Sequence, residues 1–420
     1  MGSRTMKCPA PLDDGVRMPS LSDASTMPSS SAQTPAVNSP ATGEASSATP
    51  GEPIAPVGPP LLSRFHALRK IADKGKRKLK RLAGKADKSP WIIRPSSTGG
   101  ERAYVDFVFG LDYLSPNAPL VRLFKEAMGR LGLSFLLVNE HNIESVTRDV
   151  SRGWLRPLVY LDLASAIDRR FWTLLEAADR QGIYTVGKLS ALPTWTIKAS
   201  AQPLLEAAGL PLPPTVIFRK TDPDRDLTPD ELARIGEKCV VKPSFGVSGK
   251  GAVVGVPSTA AAIRQARNYN RQDDWLVQKM IRWTRCGDRP AYLRAYNIFG
   301  HRSLMWWARD DGREWYDLLT WEDLHKYDLL PVVGLIDRLA EVTGMDFFSS
   351  EVAITAHTGP DRFVLIDYVN DQCDLDTEDG PNKRGIPEPW VAWVCAKCAE
   401  FVHARKHHQA PALGRSLQLF

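Results

Sequence analysis

The chain has 420 residues, of which 43% are hydrophobic and 24% are charged, a composition typical of a soluble globular protein with a substantial core. The sequence contains no apolar stretch near the ~18–20 residues that a membrane span needs. Six cysteines spread over this length do not form the framework of a disulfide-rich secreted domain. We therefore expect a cytoplasmic protein without a transmembrane segment.

The net charge of +6 is unevenly distributed along the chain. Residues 64–88 contain eleven Lys or Arg and two Asp, a local charge of +9 that leaves −3 for the rest. The globular body therefore lacks the broad basic face of a nucleic-acid-binding protein. Periodic Leu and Phe predict a basic amphipathic helix within residues 61–90. Residues 61–88 would be either a solvated tether or a weak contact to an anionic surface, such as a membrane or RNA.

Residues 1–60 are rich in Ser, Pro, Ala and Thr and contain few large apolar side chains. Such a segment buries too little apolar surface to offset its conformational entropy, so we predict a disordered N-terminal tail. After residue 100 the pattern changes to alternating strands and helices, with strands predicted at residues 104–109, 135–138, 158–163 and 184–186. This order predicts a small α/β domain with a parallel sheet over residues 100–190.

The most informative stretch of the sequence begins at residue 239. Val240 and Val241 predict a buried strand that ends at Lys242, and a loop follows with small residues at Ser244, Gly246, Ser248, Gly249 and Gly251. Glycine lets backbone N–H groups approach an anion closely, and successive N–H groups form an anion-binding concavity. The spacing matches neither a Walker loop nor a dinucleotide fingerprint. It predicts a phosphate clamp, the alternative being a hairpin whose glycines serve only the turn.

A pair of acidic residues on two later strands predicts a second site. Glu351 lies in a strand predicted at residues 347–355, and Asp367 lies in a strand predicted at residues 362–369. The turn residues between them make these strands antiparallel neighbours, which places the two carboxylates side by side. Two like charges so close are costly without a cation. Together with the Asn370 amide they suit Mg²⁺; the alternative is an acidic strand end that pairs with Arg or Lys.

In this order the motifs resemble the ATP-grasp superfamily over about residues 103–405. The motifs are a lysine on a strand, a glycine hairpin, a Val-Gln-x-x-Ile hinge, an arginine-bearing strand and a carboxylate pair followed by Asn. The resemblance implies an α/β protein in which the small parallel-sheet pre-ATP-grasp domain precedes a two-lobed α+β ATP-grasp module at residues 191–405. Residues 406–420 would form a C-terminal tail.

The resemblance also implies an activity. It implies an ATP- and Mg²⁺-dependent ligase that activates a carboxylate as an acyl-phosphate for attack by an amine, on small-molecule or peptide substrates. An ATP-grasp kinase that phosphorylates a hydroxyl acceptor, and an ATP-binding scaffold without turnover, are the alternatives.

The resemblance further implies roles for individual residues. The ATP phosphates would be held by two lysines and the glycine loop, namely Lys198, Lys242, Ser244, Gly246, Ser248 and Gly249. Adenine would be bound by the hinge residues Gln278, Lys279, Met280 and Ile281. The transferred phosphoryl group and the acyl-phosphate would be stabilised by Arg294 and Arg309. The Mg²⁺ ligands would be Glu351, Asp367 and Asn370.

Three positions depart from the pattern of the superfamily. Lys279 replaces an acid that the hinge usually carries. Asp367 and Asn370 are separated by one residue more than usual, which requires a β-bulge or makes Asp371 the third metal ligand. Residues 310–328, rich in Trp, Tyr and Asp, stand where a substrate loop is expected, so the sequence gives no basis for naming the acceptor.

Overall fold

The computed structural model describes residues 102–111, 118–221, 225–246, 249–269, 272–310, 313–356, 359–377, 384–408 and 416–420. The predicted tail at residues 1–60 and the predicted basic helix at residues 61–90 lie outside these ranges. Within the described residues, no helix is both long enough and apolar enough to cross a membrane.

The first domain is built on a four-stranded parallel sheet with the strand order β2-β1-β3-β4. Its strands are β1 (Ala103–Gly110), β2 (Phe135–Val138), β3 (Leu155–Asp162) and β4 (Tyr184–Val186). Its helices are α1 (Pro119–Arg130), α2 (Ile143–Ser151) and α3 (Arg169–Arg180). Val108 and Phe109 on neighbouring positions of β1 are both buried, as expected for a parallel sheet that is covered on both faces. The predicted parallel-sheet domain is confirmed.

A smaller lobe follows, with a four-stranded antiparallel sheet in the order β5-β8-β6-β7. Its strands are β5 (Thr215–Phe218), β6 (Lys238–Pro243), β7 (Val253–Pro257) and β8 (Trp275–Lys279). Its helices are α4 (Leu192–Trp195), α5 (Lys198–Ala207), α6 (Pro229–Ile235) and α7 (Ala260–Ala266). Helix α6 begins with a complete capping box between Thr228 and Glu231, which satisfies backbone N–H groups that a helix start leaves unpaired.

The third part is a larger, mainly antiparallel sheet in the order β13-β12-β11-β14-β15, with β16 added in parallel to β12. Its strands are β11 (Tyr292–Ile298), β12 (His301–Asp310), β13 (Arg313–Leu318), β14 (Phe347–Ile354), β15 (Phe363–Asn370) and β16 (Ser416–Gln418), and a short hairpin of β9 (Arg285–Cys286) and β10 (Arg289–Pro290) precedes them. The helices are α8 (Trp321–Lys326), α9 (Leu330–Thr343) and α10 (Glu388–Lys406), with a 3₁₀ turn at Gly359–Arg362.

Residues 310–328, which are predicted to replace the usual substrate loop, contain strand β13 and helix α8. One other segment differs from the expectation. The C-terminal tail predicted for residues 406–420 is not a separate tail, because β16 pairs with β12 and Leu419 is buried. The short apolar sequence Leu-Gln-Leu-Phe at the end of the chain allows this pairing, since alternate residues can cover the core.

Helix α10 connects the large sheet to the first domain. Trp390 on this helix packs on Tyr296 of β11, with ring centroids 4.3 Å apart, and α10 also packs along helix α1. Arg294 and Tyr292 are alternate residues of β11 and share a face with Tyr296. This face carries the candidate site.

Candidate active site

The registers of three neighbouring strands bring the predicted acids and an arginine together. Glu351 on β14 lies opposite Asp367 on β15, as predicted, and opposite Arg294 on β11. Directly opposed residues of antiparallel strands place their side chains on the same face of the sheet. The three charged side chains therefore form a row across the strands.

Cations neutralise this acidic pair in the structure. Arg294 Nη1 lies 2.9 Å from Glu351 Oε1, and Lys198 Nζ lies 3.4 Å from Asp367 Oδ1. Lys242 Nζ donates a hydrogen bond of 2.8 Å to the carbonyl oxygen of Ile366. The two lysines come from different elements, since Lys198 begins helix α5 and Lys242 lies at the end of β6. The fold thus collects three cations and two carboxylates from five elements.

The spacing between Asp367 and Asn370 is explained by a bulge. On β14, Glu351 pairs with Asp367 and Ser349 pairs with Asn370. Glu351 and Ser349 are two residues apart, whereas their partners on β15 are three residues apart. The predicted bulge is therefore present, and the extra residue returns Asn370 to the face that carries Asp367. This placement favours Asn370 over Asp371 as the third oxygen donor of the set.

A second register shift on the same strand positions Lys242. Between Glu351 and Val352 the partners on β15 step from Asp367 to Leu365, so that Ile366 has no register partner. The Ile366 carbonyl accepts the hydrogen bond from the Lys242 ammonium. The irregular strand therefore supplies an anchor for the lysine.

The electrostatics of the cluster follow from burial and from these contacts. Burial lowers the pKa of Lys242 to about 8, and the charge of Lys198 acts in the same direction, while Asp367 and Glu351 oppose it. Burial by itself would raise the pKa of Asp367, but the charges of Lys198, Lys242 and Arg294 outweigh it and hold this pKa below its usual value. Asp367 is therefore ionised at neutral pH, as a metal ligand must be.

Ser244, at the start of the glycine loop, is hydrogen-bonded to the first turn of helix α5. Ser244 is fully buried; its carbonyl accepts from the Lys198 N–H at 2.9 Å, and its hydroxyl accepts from the Ala199 N–H at 3.0 Å. These contacts satisfy N–H groups of the first helical turn. Ser244 thus fixes the loop to the helix that carries Lys198, and its predicted phosphate contact stays a prediction.

The remaining loop residues are partly described. The Gly246 carbonyl accepts from Lys198 Nζ at 3.4 Å, which brings the first lysine onto the loop. Gly249 and Gly251 adopt φ values of 65° and 80°, the left-handed region that favours glycine. A Cβ at Gly251 would come within 2.7 Å of the Tyr269 ring. Ser248 lies outside the described residues.

The predicted hinge divides into a buried and an open part. Gln278 pairs within the sheet with both Thr215 and Val240, so its backbone lies inside the ladder. Lys279 is the last residue of β8 and its side chain is exposed. Met280 and Ile281 follow the strand and are partly exposed. The predicted hinge therefore leaves the sheet after Lys279, and its adenine contacts stay a prediction.

The Gln278 side chain belongs to a buried polar network that the sequence analysis did not predict. Its amide nitrogen lies within hydrogen-bonding distance of Gln202, Thr215 and the Tyr368 hydroxyl, at 3.2, 2.9 and 2.9 Å. The network joins the small lobe to strand β15 next to Asp367. A polar Gln at the end of the apolar run Trp-Leu-Val was the available signal, because a buried amide needs partners.

Arg309 lies on β12, in register with Glu314 of β13. The prediction about its side chain lies outside what the structure describes.

The oxygen donors at this site decide which metal it could hold. Among the described residues, no three His, Cys, Asp or Glu side chains form a cluster that could hold a metal ion. The predicted ligands are the carboxylates of Glu351 and Asp367 and the amide of Asn370. Mg²⁺ is commonly held by one or two carboxylates together with water and phosphate oxygens. Glu351 and Asp367 keep 18% and 32% of their side chains exposed. The residues present therefore fit Mg²⁺ bound together with a nucleotide.

A second pair of carboxylates lies at the edge of the first domain. Asp162 ends strand β3 and accepts from the Ala164 and Ser165 N–H groups. Asp371 directly follows the bulged strand, and burial together with the charge of Asp162 raises its pKa to about 7. Gln372 donates to the Ser165 hydroxyl at 2.9 Å, so this edge of the first domain touches the end of β15.

Comparisons with known proteins are informative at the level of structure. No family model and no curated protein sequence matches the chain. A RimK domain ATP-grasp protein from Sphaerobacter thermophilus DSM 20745 is 20% identical, with 70% of this chain and 98% of that chain covered and a TM-score of 0.51. D-alanine–D-alanine ligase from Bacillus anthracis, solved with ATP, is 12% identical, with 74% and 100% covered and a TM-score of 0.49. The ATP-grasp ligase PsnB, solved with a minimal precursor, Mg and ADP, is 14% identical, with 70% and 98% covered and a TM-score of 0.45.

The strand order, the lobe arrangement and the first of these similarities define the class. The chain has the ATP-grasp fold. A parallel-sheet domain precedes two lobes with antiparallel sheets, and the residues expected to hold phosphate and metal meet between those lobes.

Proposed function

We propose that the protein is an ATP- and Mg²⁺-dependent ligase that joins a carboxylate to an amine. The observation that carries the proposal is the row of Glu351, Asp367 and Arg294 with Lys198 and Lys242 directly against it. A concentration of cations and oxygen ligands of this kind suits phosphoryl transfer, whose barrier is lowered mainly by positioning and charge neutralisation.

In the first half-reaction a carboxylate oxygen attacks the γ-phosphorus of ATP. A new bond forms between this oxygen and phosphorus, the bond to the β-phosphate oxygen breaks, and ADP leaves. Lys198 and Lys242 would hold the phosphates, since the Lys198 ammonium contacts the glycine loop at Gly246 and the Lys242 ammonium lies at the Ile366 carbonyl, next to Asp367. Arg294 neutralises the charge on the transferred group and orients the carboxylate.

In the second half-reaction the amine attacks the carbonyl carbon of the acyl-phosphate. The carbon–nitrogen bond forms, the carbon–oxygen bond to phosphate breaks, and inorganic phosphate leaves with that oxygen. This route requires no covalent attachment to the enzyme. Glu351, Asp367 and Asn370 would hold Mg²⁺, which when bound neutralises phosphate charge.

The test is an assay of ADP formation with Mg·ATP and pools of carboxylates and amines, including short peptides. We expect ADP and free phosphate only when a carboxylate and an amine are both present. A carboxylate labelled with ¹⁸O should transfer one labelled oxygen to the released phosphate. The Lys242→Ala variant gives the background rate.

Two results would contradict the ligase. Phosphate retained on a hydroxyl acceptor would identify a kinase. ATP bound without ADP formation in any pool would identify a scaffold without turnover.

A further inference from the structure

We propose that Asp273 positions the glycine loop for the ATP phosphates, because its carboxylate holds the backbone N–H of Phe245. Asp273 is a positioning residue, since it acts through the loop and not by touching ATP. The inference rests on the proposed function and extends it, because it assigns a further residue to the same site.

The carboxylate of Asp273 is buried beside the start of the loop. Asp273 lies two residues before β8 and is 5% exposed. Its Oδ2 atom accepts a hydrogen bond of 2.8 Å from the Phe245 N–H, across 28 positions of the sequence. A hydrogen bond from a backbone N–H to a carboxylate is stronger than one between neutral groups. The contact therefore ties the loop firmly to the segment that precedes β8.

This contact lies where the chain leaves the sheet. Strand β6 pairs with the antiparallel strand β8 up to the last residue of β6. The pairing continues for one more residue, because the Ser244 N–H donates to the Asp274 carbonyl at 2.8 Å. At Phe245 the acceptor is the side chain of Asp273. The carboxylate thus takes the Phe245 N–H at the point where the glycine loop begins.

Helix α5 holds the same part of the loop from another side. Ser244 accepts hydrogen bonds from two N–H groups of the first turn of α5, and the Gly246 carbonyl accepts from Lys198 Nζ at 3.4 Å. Asp273 holds Phe245, the residue between these two. Loss of the carboxylate would therefore release the middle one of three consecutive residues and shift the loop against the Lys198 ammonium.

The contact also indicates which N–H groups of the loop remain for phosphate. The Phe245 N–H donates to a carboxylate, and a carboxylate repels a phosphate placed beside it. The phosphates are therefore left to Lys198, Lys242 and the later part of the loop. The Phe245 N–H sets the position of the loop instead of binding the ligand.

The neighbouring aspartate provides a matched control. Asp274 is 8% exposed, and its carboxylate accepts from the Lys220 N–H at 3.0 Å and from Arg219 Nη1 at 3.2 Å. These two residues follow strand β5. Asp274 meets the loop through its backbone carbonyl, which Asp274→Ala retains. Two adjacent buried aspartates thus hold different segments with their side chains.

The first experiment measures the loop without nucleotide. Hydrogen exchange of the Phe245 amide in the full chain is followed by mass spectrometry of peptides that contain it. We expect Asp273→Ala to raise the exchange rate about tenfold or more, as for the loss of a hydrogen bond to a charged group. Asp273→Asn keeps an acceptor oxygen and should stay within about threefold of the native rate. Asp274→Ala should exchange at the native rate.

The second experiment separates positioning of the loop from general damage to the lobe. Mg·ATP is titrated by calorimetry, and adenosine, which has no phosphate, is titrated by ligand-observed NMR. We expect Asp273→Ala to bind Mg·ATP about tenfold more weakly and adenosine with native affinity. Asp273→Asn should restore most of the Mg·ATP affinity, and Asp274→Ala should bind both ligands as the native protein does.

Three results would overturn the inference. They are native exchange of the Phe245 amide in Asp273→Ala, native affinity of this variant for Mg·ATP, and an equal loss of affinity for adenosine and Mg·ATP. Circular dichroism checks that each variant is folded. A native protein that does not bind Mg·ATP would overturn the proposed function and the role in phosphate binding together. The exchange measurement is made without nucleotide and shows separately whether Asp273 holds the loop.

Discussion

The molecule contains two pairs of neighbouring carboxylates, and their surroundings differ. Glu351 and Asp367 lie among Lys198, Lys242 and Arg294, and these charges hold the pKa of Asp367 below its usual value despite burial. For Asp162 and Asp371 at the edge of the first domain the neighbouring charge is the other carboxylate, and burial with this charge raises the pKa of Asp371 to about 7.

The difference shows what makes an acidic pair suitable for a metal. Burial disfavours the ionised form of both Asp367 and Asp371, and the cations supplied by α5, β6 and β11 outweigh this effect at Asp367. Asp367 is therefore kept charged. In the other pair, Asp371 keeps its proton up to a higher pH than an ordinary aspartate does. Variants that change one pair at a time separate these roles.

The largest effect is expected from Glu351→Gln. This change removes one charge from the proposed Mg²⁺ site, while the amide still offers an oxygen to Arg294. Loss of groups that merely support metal ligands costs about 10–100-fold, so loss of a ligand should lower Mg²⁺-dependent turnover about a hundredfold or more.

Turnover is followed as ADP release against Mg²⁺ concentration. The matched control is Glu341→Gln, which changes an exposed glutamate on helix α9 and should leave the Mg²⁺ dependence unchanged. Normal Mg²⁺ dependence in Glu351→Gln would argue against the assignment of this carboxylate to the metal.

An intermediate effect is expected from pH. Because the pKa of Lys242 is lowered to about 8, its ammonium is present below that pH and is lost as the pH rises through it. Mg·ATP affinity should be constant near pH 7 and fall above pH 8, approaching about tenfold per pH unit if only the charged lysine binds. Lys242→Arg keeps its charge and should flatten this dependence in calorimetric titrations at pH 7, 8 and 9. An unchanged slope in this variant would assign the dependence to another group.

The smallest effect concerns stability. An acid whose pKa is raised in the folded state binds a proton more tightly there, so the native protein should lose stability as the pH rises from about 4 to about 7. Asp371→Asn removes this loss. Its free energy of unfolding relative to that of the native protein should be about 2–3 kcal/mol higher at pH 8 than at pH 5, since the pKa of Asp371 is raised from 3.8 to about 7 and one pKa unit corresponds to about 1.4 kcal/mol.

Denaturant unfolding at pH 5 and pH 8 measures this difference. Asp179→Asn, a change at an exposed aspartate of helix α3, is the control. A stability gap between Asp371→Asn and the native protein that is the same at both pH values would contradict the account.

Much of the architecture follows from local sequence. The parallel sheet and the antiparallel pair of β14 and β15 were predicted from the alternation of strands and helices and from the turn residues between the last two predicted strands. The opposition of Glu351 and Asp367 could be predicted because turn residues between two strands indicate antiparallel neighbours. The bulge before Asn370 could be predicted because the motif has one residue too many.

Other features depend on contacts between distant segments. The capping of helix α5 by Ser244 joins residues 45 positions apart, and the network of Gln278 reaches Tyr368, 90 positions away. The pairing of β16 with β12 likewise decides that residues 416–418 form a strand. Local propensity carries little information about such partners, because burial and cross-strand neighbours determine strand formation.

Lys242, Glu351 and Asp367 together form the proposed binding site for Mg·ATP. The most direct test is calorimetric titration of the native protein, Lys242→Ala and Lys238→Ala with Mg·ATP. Lys238 is the matched control because it lies exposed at the other end of β6. We expect binding by the native protein and by Lys238→Ala, and an affinity about tenfold to a hundredfold lower in Lys242→Ala, the cost of a hydrogen bond to a charged group. A folded native protein that does not bind Mg·ATP, or a Lys242→Ala variant with native affinity, would contradict the account.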